Sequence, residues 1–341
     1  MILKKNKYTL KQKQKIASKV YDITDEDLLE DYKKLVEIGC GKKHAKLSRV
    51  GNKVVNKFTA TERLNTVYNL YRKNRICFYD VYYNKNALKT QKRIKQMLSF
   101  YKKNKSSYPE TKVWFQIASL YFNNVSIFNP LIALDVYCKY KPTCVLDFTM
   151  GWGGRLVGAC AAGVPKYIGI DNNKQLVAPY NKLTAFLRKQ QQEEGKSDET
   201  VSEATVSEAK KSETVRTEID LRFEDALAVD YSKLDYDMVL TSPPYYNIEL
   251  YSATKEQSEE EWNTKFYVPL FTETFKHMKK GGHYCLNIPI DVYENVATKV
   301  LGKCDEKIPL AKMNRYNSKK EYIYVWLRKP TDKAKPTAYS L

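Results

Sequence analysis

Residues 144–155 read Cys144-Val145-Leu146-Asp147-Phe148-Thr149-Met150-Gly151-Trp152-Gly153-Gly154-Arg155. An apolar run containing a single acid leads into a Gly-rich turn. This predicts a short buried strand over 144–148, a tight turn, and a small-residue helix over 155–162. Glycines let a backbone come close to a ligand, and the helix that follows offers free N–H groups. Outward from this stretch the pattern repeats. Strands are expected at 167–171, 219–223, 236–243 and 283–288, with helices over 173–190 and 259–280. Gly281-Gly282 closes the last helix. A final pair, about 307–313 and 322–328, reads as an antiparallel hairpin. Repeated strand–helix units imply an α/β doubly wound sheet with ligand sites at the carboxyl ends of its strands. Residues 191–214 are polar, repeat Val-Ser-Glu-Ala, and are expected to form a flexible insertion.

The strand ends carry the chemistry. The second strand ends in Asp171, an acid suited to accepting from both ribose hydroxyls about 20 residues beyond a Gly-rich turn. The third is followed by Asp225. The competing reading, a dinucleotide-binding dehydrogenase, calls for GxGxxG, whereas the turn here is Gly151-Trp152-Gly153-Gly154. The fourth strand runs into Thr241-Ser242-Pro243-Pro244-Tyr245. Two prolines stiffen a turn where strand hydrogen bonding has ended. An exocyclic base amine is a poor nucleophile, because its lone pair is delocalised into the ring. Acceptors aimed at its two N–H bonds pull the nitrogen toward tetrahedral geometry. The Ser242 hydroxyl and the Pro243 carbonyl are the expected acceptors, with Tyr245 stacking on an extruded base. Tyr245→Ala and Pro243→Ala are expected to abolish transfer.

The net charge of +19 is unevenly spread. Residues 1–120 hold 28 Lys/Arg against 10 Asp/Glu, and residues 121–341 hold 30 against 29. A local surplus of that kind suits a polyanion, since each neutralised phosphate releases counterions. Residues 8–38 read as helical, with Asp25 as a cap, and two more amphipathic helices are expected over 60–76 and 86–103. Their polar faces carry Arg72, Lys73, Arg75, Lys89, Lys92, Arg93, Lys95, Lys102 and Lys103, interleaved with tyrosines. Residues 1–124 are therefore expected to be a basic, mainly helical nucleic-acid-recognition region, and 125–341 the catalytic domain. Seven cysteines lie at 40, 77, 138, 144, 160, 285 and 304 with no CxxC pair, which argues against a disulfide framework or a zinc ribbon. No metal is expected. Neither a signal peptide nor an apolar run of membrane-spanning length is evident, so a soluble intracellular protein is expected.

With both motifs in view, the C-terminal part resembles the DNA amino-methyltransferases specific for N6-adenine or N4-cytosine. The likeness is closer to those of phages and large DNA viruses. The resemblance rests on the Gly151–Arg155 loop and on Ser242-Pro243-Pro244-Tyr245. It implies a Rossmann-like methyltransferase sheet, S-adenosylmethionine as cofactor, and DNA as partner. It further implies Asp147, Gly151 and Gly153 around the methionine part, Asp171 on the ribose and Asp225 on the adenine, with Thr149 also among the cofactor-binding residues. Phe128-Asn129-Pro130 resembles the family's additional cofactor-contacting element, which adds Phe128 and Pro130. The family's usual Asp-Pro-Phe is Asp147-Phe148-Thr149 here. Adenine and cytosine stay open, as do an RNA base substrate and a catalytically inactive nucleic-acid-binding subunit. Carbon-5 methylation is disfavoured, because that chemistry needs a Pro-Cys nucleophile and the chain has none.

Overall fold

The computed structural model describes residues 3–41, 48–68, 75–105, 107–122, 125–200, 216–247, 249–250, 257–310 and 321–330. Five strands run parallel: β1 (Cys144–Asp147), β2 (Lys166–Ile170), β3 (Glu218–Arg222), β4 (Met238–Thr241) and β5 (His283–Asn287). The final pair, β6 (Glu306–Pro309) and β7 (Tyr322–Leu327), is antiparallel, and β7 lies beside β5. The order across this seven-stranded sheet is β3-β2-β1-β4-β5-β7-β6. It is the doubly wound α/β, Rossmann-like sheet that the alternation of elements predicts. The order reverses between β1 and β4, which is where such a sheet opens a ligand crevice.

Successive strand residues point to opposite faces. Val145 enters one apolar core, and Cys144 and Leu146 enter the other. The N-terminal helices are α1 (Leu10–Tyr21), α2 (Asp25–Ile38), α3 (Asn52–Asn65), α4 (Phe78–Tyr83), α5 (Lys85–Leu88), α6 (Lys92–Asn104) and α7 (Glu110–Tyr121). The first core is covered by α8 (Pro130–Tyr140), α9 (Gly154–Ala161) and α10 (Val177–Thr200). On the other face lie α11 (Glu259–Trp262) and α12 (Val268–His277). Leu28, Tyr32 and Leu35 of α2, and Val54 and Val55 of α3, belong to the same buried cluster as α8–α10. Packing is thus continuous across the boundary expected at 124/125. A separate cluster joins α1 to α4, α6 and α7. Deleting residues 1–120 would uncover the apolar sides of α9 and α10 against which α2 and α3 pack, so point variants are the proper probe of that region.

Several local expectations are corrected. Thr24, not Asp25, caps α2, through a capping box with Asp27. The helix expected over 60–76 begins earlier and ends at Asn65. Thr66 turns extended there, and Val67–Tyr68 pair antiparallel with Glu249–Leu250. Tyr71, Arg72 and Lys73 lie outside the described residues. Residues 191–200, expected to be part of a flexible insertion, continue α10, and 201–214 lie outside the described residues. The single helix expected over 259–280 is interrupted by a π-helical segment, Asn263–Tyr267, in which the Val268 N–H reaches the Asn263 carbonyl five residues back. Pro269 has no N–H to give to Lys265, which removes one α-helical bond at this point.

The expectation against a disulfide is overturned: Cys40, just beyond α2, is bonded to Cys138 of α8. The two are 98 residues apart in sequence, and only the packing of α2 on the sheet layer brings them together. Alkylation of the unreduced, denatured protein should therefore label five thiols, and labelling of all seven would contradict the pairing. Among the described residues no helix is long and apolar enough to cross a membrane.

Candidate active site

A cavity of about 460 Å³ opens at the carboxyl ends of the central strands. Its size is typical of a site for a small organic ligand. The Gly-rich turn forms its floor. Gly151 has φ +57 and Gly153 φ +90, the left-handed region where a side chain is strained. A Cβ on Gly154 would stand 1.9 Å from the Phe128 carbonyl oxygen, so this glycine is what lets the segment before α8 lie against the start of α9.

Four of the expected cofactor residues line the cavity: Thr149, Gly151, Asp171 and Asp225. Asp171 Oδ2 accepts from the Gly151 N–H at 2.9 Å, and Oδ1 accepts from the Asn173 N–H at 2.9 Å. Burial pushes its carboxyl up to about 6, against the lowering effect of those two N–H donors. Asp225 Oδ1 accepts from the Leu227 N–H at 3.0 Å, which sets the turn after β3 with Leu227 at the cavity wall.

The other expected cofactor residues stand behind the wall. Asp147 is fully buried, and three donors hold its carboxylate. These are Arg155 Nε at 2.7 Å, the Tyr167 hydroxyl at 2.6 Å and the Thr241 hydroxyl at 2.8 Å. It orders the turn rather than facing the cavity. Burial works to lower the Arg155 pKa, but the attraction and hydrogen bond of Asp147 prevail and raise it, so the buried guanidinium stays charged. Arg155 also donates to the Thr149 carbonyl at 2.5 Å and lies 5.1 Å from the centre of the Phe128 ring. Phe128 thus packs on the arginine that braces the turn. Pro130 is the buried first residue of α8, and Gly153 packs against Leu183 and Tyr180.

The Ser242–Tyr245 loop begins where β4 ends. Ser242 and Pro244 line the same cavity as Asp171, and Pro243 is buried. The Ser242 hydroxyl lies 3.1 Å from the Tyr245 hydroxyl and donates to Asn287 Oδ1 at 3.3 Å. The Tyr245 hydroxyl donates to the same Oδ1 at 2.9 Å. Asn287 ends β5, and its Nδ2 donates to the Tyr322 carbonyl at 3.2 Å, which fixes which way the amide points. Tyr246 has φ +50, and its N–H donates to the Tyr267 hydroxyl at 3.2 Å. That hydroxyl in turn donates to the Pro244 carbonyl at 2.5 Å.

Asn287 and the wall formed by Trp262, Lys265 and Phe266 were not read from the sequence. The π segment sets the phase of that wall. The one available cue was Pro269 inside a helical run. Asn247 was quoted beside the Pro-Pro motif without a role. It accepts from Trp262 Nε1 at 3.1 Å and exchanges hydrogen bonds with the Gln257 backbone.

No protein-family model and no curated protein matches the chain. Among solved structures it is similar to an rRNA methylase from Streptococcus thermophilus. The two are 13% identical over 60% of this chain and 100% of that one, with a TM-score of 0.35. It is similar to a Streptococcus mutans protein in complex with SAH, at 12% identity over 54% of this chain and 87% of that one, TM-score 0.33. It is also similar to TrmN from Thermus thermophilus, at 15% identity over 62% of this chain and 51% of that one, TM-score 0.36.

Proposed function

We propose that this chain is an S-adenosylmethionine-dependent methyltransferase acting on the exocyclic amino group of an extruded DNA base, adenine or cytosine. One observation carries the reading: a single cavity is walled by Gly151, Asp171 and Asp225 and also by Ser242 and Pro244. A cofactor site and an amine-acceptor loop thus share one enclosure at the sheet's switch point, where two reactants can be held in line.

The residues fit the cofactor. Asp171 has one position on each carboxylate oxygen taken by a backbone N–H and keeps further acceptor capacity for ribose hydroxyls. Asp225 and Leu227 flank the place for the adenine, and Gly151 keeps the turn free of a side chain. The bound cofactor supplies a methyl group on a positively charged sulfur, an electrophile that requires no covalent enzyme intermediate. The chain's part is positioning. With its own proton directed to Asn287, Ser242 Oγ is left as an acceptor for one amine N–H. The Pro243 carbonyl is the second acceptor. Asn287 and Tyr322 hold the Ser242–Tyr245 group in register. The Tyr245 hydroxyl is anchored on Asn287 and its ring does not line the cavity, so stacking on an extruded base is the part of the reading that Tyr245→Ala tests.

Titration of the purified protein with S-adenosylhomocysteine tests the cofactor half. Saturable one-to-one binding is expected, weakened at least tenfold by Asp171→Ala, about the loss of one hydrogen bond to a charged group. Unaltered binding by that variant would count against the assignment. A pH dependence follows as well. The ionised carboxylate is the form that accepts from hydroxyls, and in the free protein it is lost as pH falls through about 6. Cofactor affinity should fall below that pH by up to about tenfold per unit, and Asp171→Asn should flatten the profile. The same group acts on stability in the opposite sense. Its folded value lies above the usual 3.8, so between these values the folded state holds a proton that the unfolded chain releases. Its contribution therefore favours the free folded state as pH falls through that window.

A further inference from the structure

Away from the active site, α6 and the end of α7 border a second cleft, of about 500 Å³. Its α6 wall is a stripe at helical spacing that includes Arg93, Met97, Phe100 and Tyr101, and its α7 wall is Leu120 and Tyr121. That spacing normally marks a face packed into a core. Here Phe100 and Leu120 are each 58% exposed and Tyr121 is 42% exposed. Ile94 is the one fully buried residue of α6. The helix contains no acid. Lys92, Arg93, Lys95, Lys102 and Lys103 are exposed on it, and no ion pair joins any of them to a described residue. The acid on the neighbouring helix, Glu110, is already paired with Lys85 and Lys89.

We infer that this cleft binds an unpaired stretch of DNA, with bases stacked on Phe100 and Tyr121 and phosphates held by Arg93 and the lysines of α6. Exposed rings bordered by cations of one sign are the combination that single strands require, since every base has a stacking face. Arg93 interrupts the apolar stripe, which suits a planar base with polar edges better than lipid chains. The inference rests on the nucleic-acid reading above and not on methyl transfer itself.

The test uses the full chain, with fluorescence anisotropy on a short single-stranded DNA and its duplex. Phe100→Ala and Tyr121→Ala should each weaken single-strand binding about tenfold while leaving duplex binding within about twofold. Phe100→Trp and Tyr121→Phe should restore it, and thermal melts should show all four variants folded. Unchanged single-strand affinity in both alanine variants would overturn the proposal. So would ring-dependent binding to anionic phospholipid vesicles without a ring effect on DNA. Ring-dependent single-strand binding by a protein that transfers no methyl group would support this cleft while removing the catalytic reading. Normal methyl transfer together with unchanged single-strand affinity in both ring variants would do the reverse.

Discussion

Replacing Asn287 by alanine is expected to lower the rate of methyl transfer about 100-fold and to leave cofactor affinity within about twofold, the size of effect that a misplacement of about 1 Å produces. Asn287 does not line the cavity, yet its amide oxygen receives both the Ser242 and the Tyr245 hydroxyls. Without it neither hydroxyl has the acceptor that fixes its orientation, so Ser242 Oγ is no longer held with a lone pair toward the amine. Tyr245→Phe removes one donor to the same oxygen and should cost less, about tenfold. Single-turnover transfer, with cofactor binding measured separately, distinguishes the two effects. A loss of cofactor affinity equal to the loss of rate would show that Asn287 supports the whole cavity and does not position the loop. Pro243→Ala acts on the same loop from the backbone side, by freeing the turn that presents its carbonyl.

Replacing Arg155 by leucine is expected to destabilise the folded chain by about 3–5 kcal/mol, because it leaves the Asp147 carboxylate buried without its cation. Domains of ordinary stability have about 5–15 kcal/mol in total, so the variant should unfold at much lower denaturant concentration. Tyr167 and Thr241 still donate to Asp147 in the variant, but neither neutralises the charge. Asp147→Asn should be costly for the complementary reason, as it strands the guanidinium. Replacing both residues by leucine should recover part of the loss, since a buried pair is often matched by apolar side chains of similar volume. Urea unfolding of the four proteins checks this. A single Arg155→Leu variant within about 1 kcal/mol of the parent would contradict the bracing role.

The contrast between Asp147 and Asp171 indicates what the sequence makes legible. Both acids end strands beside the Gly-rich turn, and both read as cofactor contacts. Local pattern is enough to locate the strand, the turn and the acid, because strand period and glycine conformation are local properties. It is not enough to say where the carboxylate points. That depends on Tyr167 from β2, Thr241 from β4 and Arg155 from α9, which meet Asp147 only in the folded sheet. The Ser242-Pro243-Pro244-Tyr245 loop was legible for the same local reason. Its support by Asn287, 45 residues on, was not. The Trp262–Phe266 wall depends on a π segment that shifts the helical phase, and the Cys40–Cys138 pair depends on how α2 lies against the helices that cover the sheet. The charge count drew attention to the basic N-terminal third, but α2 and α3 are built into the same core as the sheet. Exposed rings beside cations that have no ion pair among the described residues mark α6 and α7 within that third.

Under the proposed function, the paired half-sites of one cavity transfer a methyl group to a base nitrogen. Incubation of the purified protein with DNA and isotopically labelled S-adenosylmethionine, followed by digestion and nucleoside mass spectrometry, measures this directly. Label is expected in N6-methyladenine or N4-methylcytosine, and none above background with the Pro243→Ala protein. Label on a base carbon or on ribose, or amine methylation that survives undiminished in that variant, would contradict it.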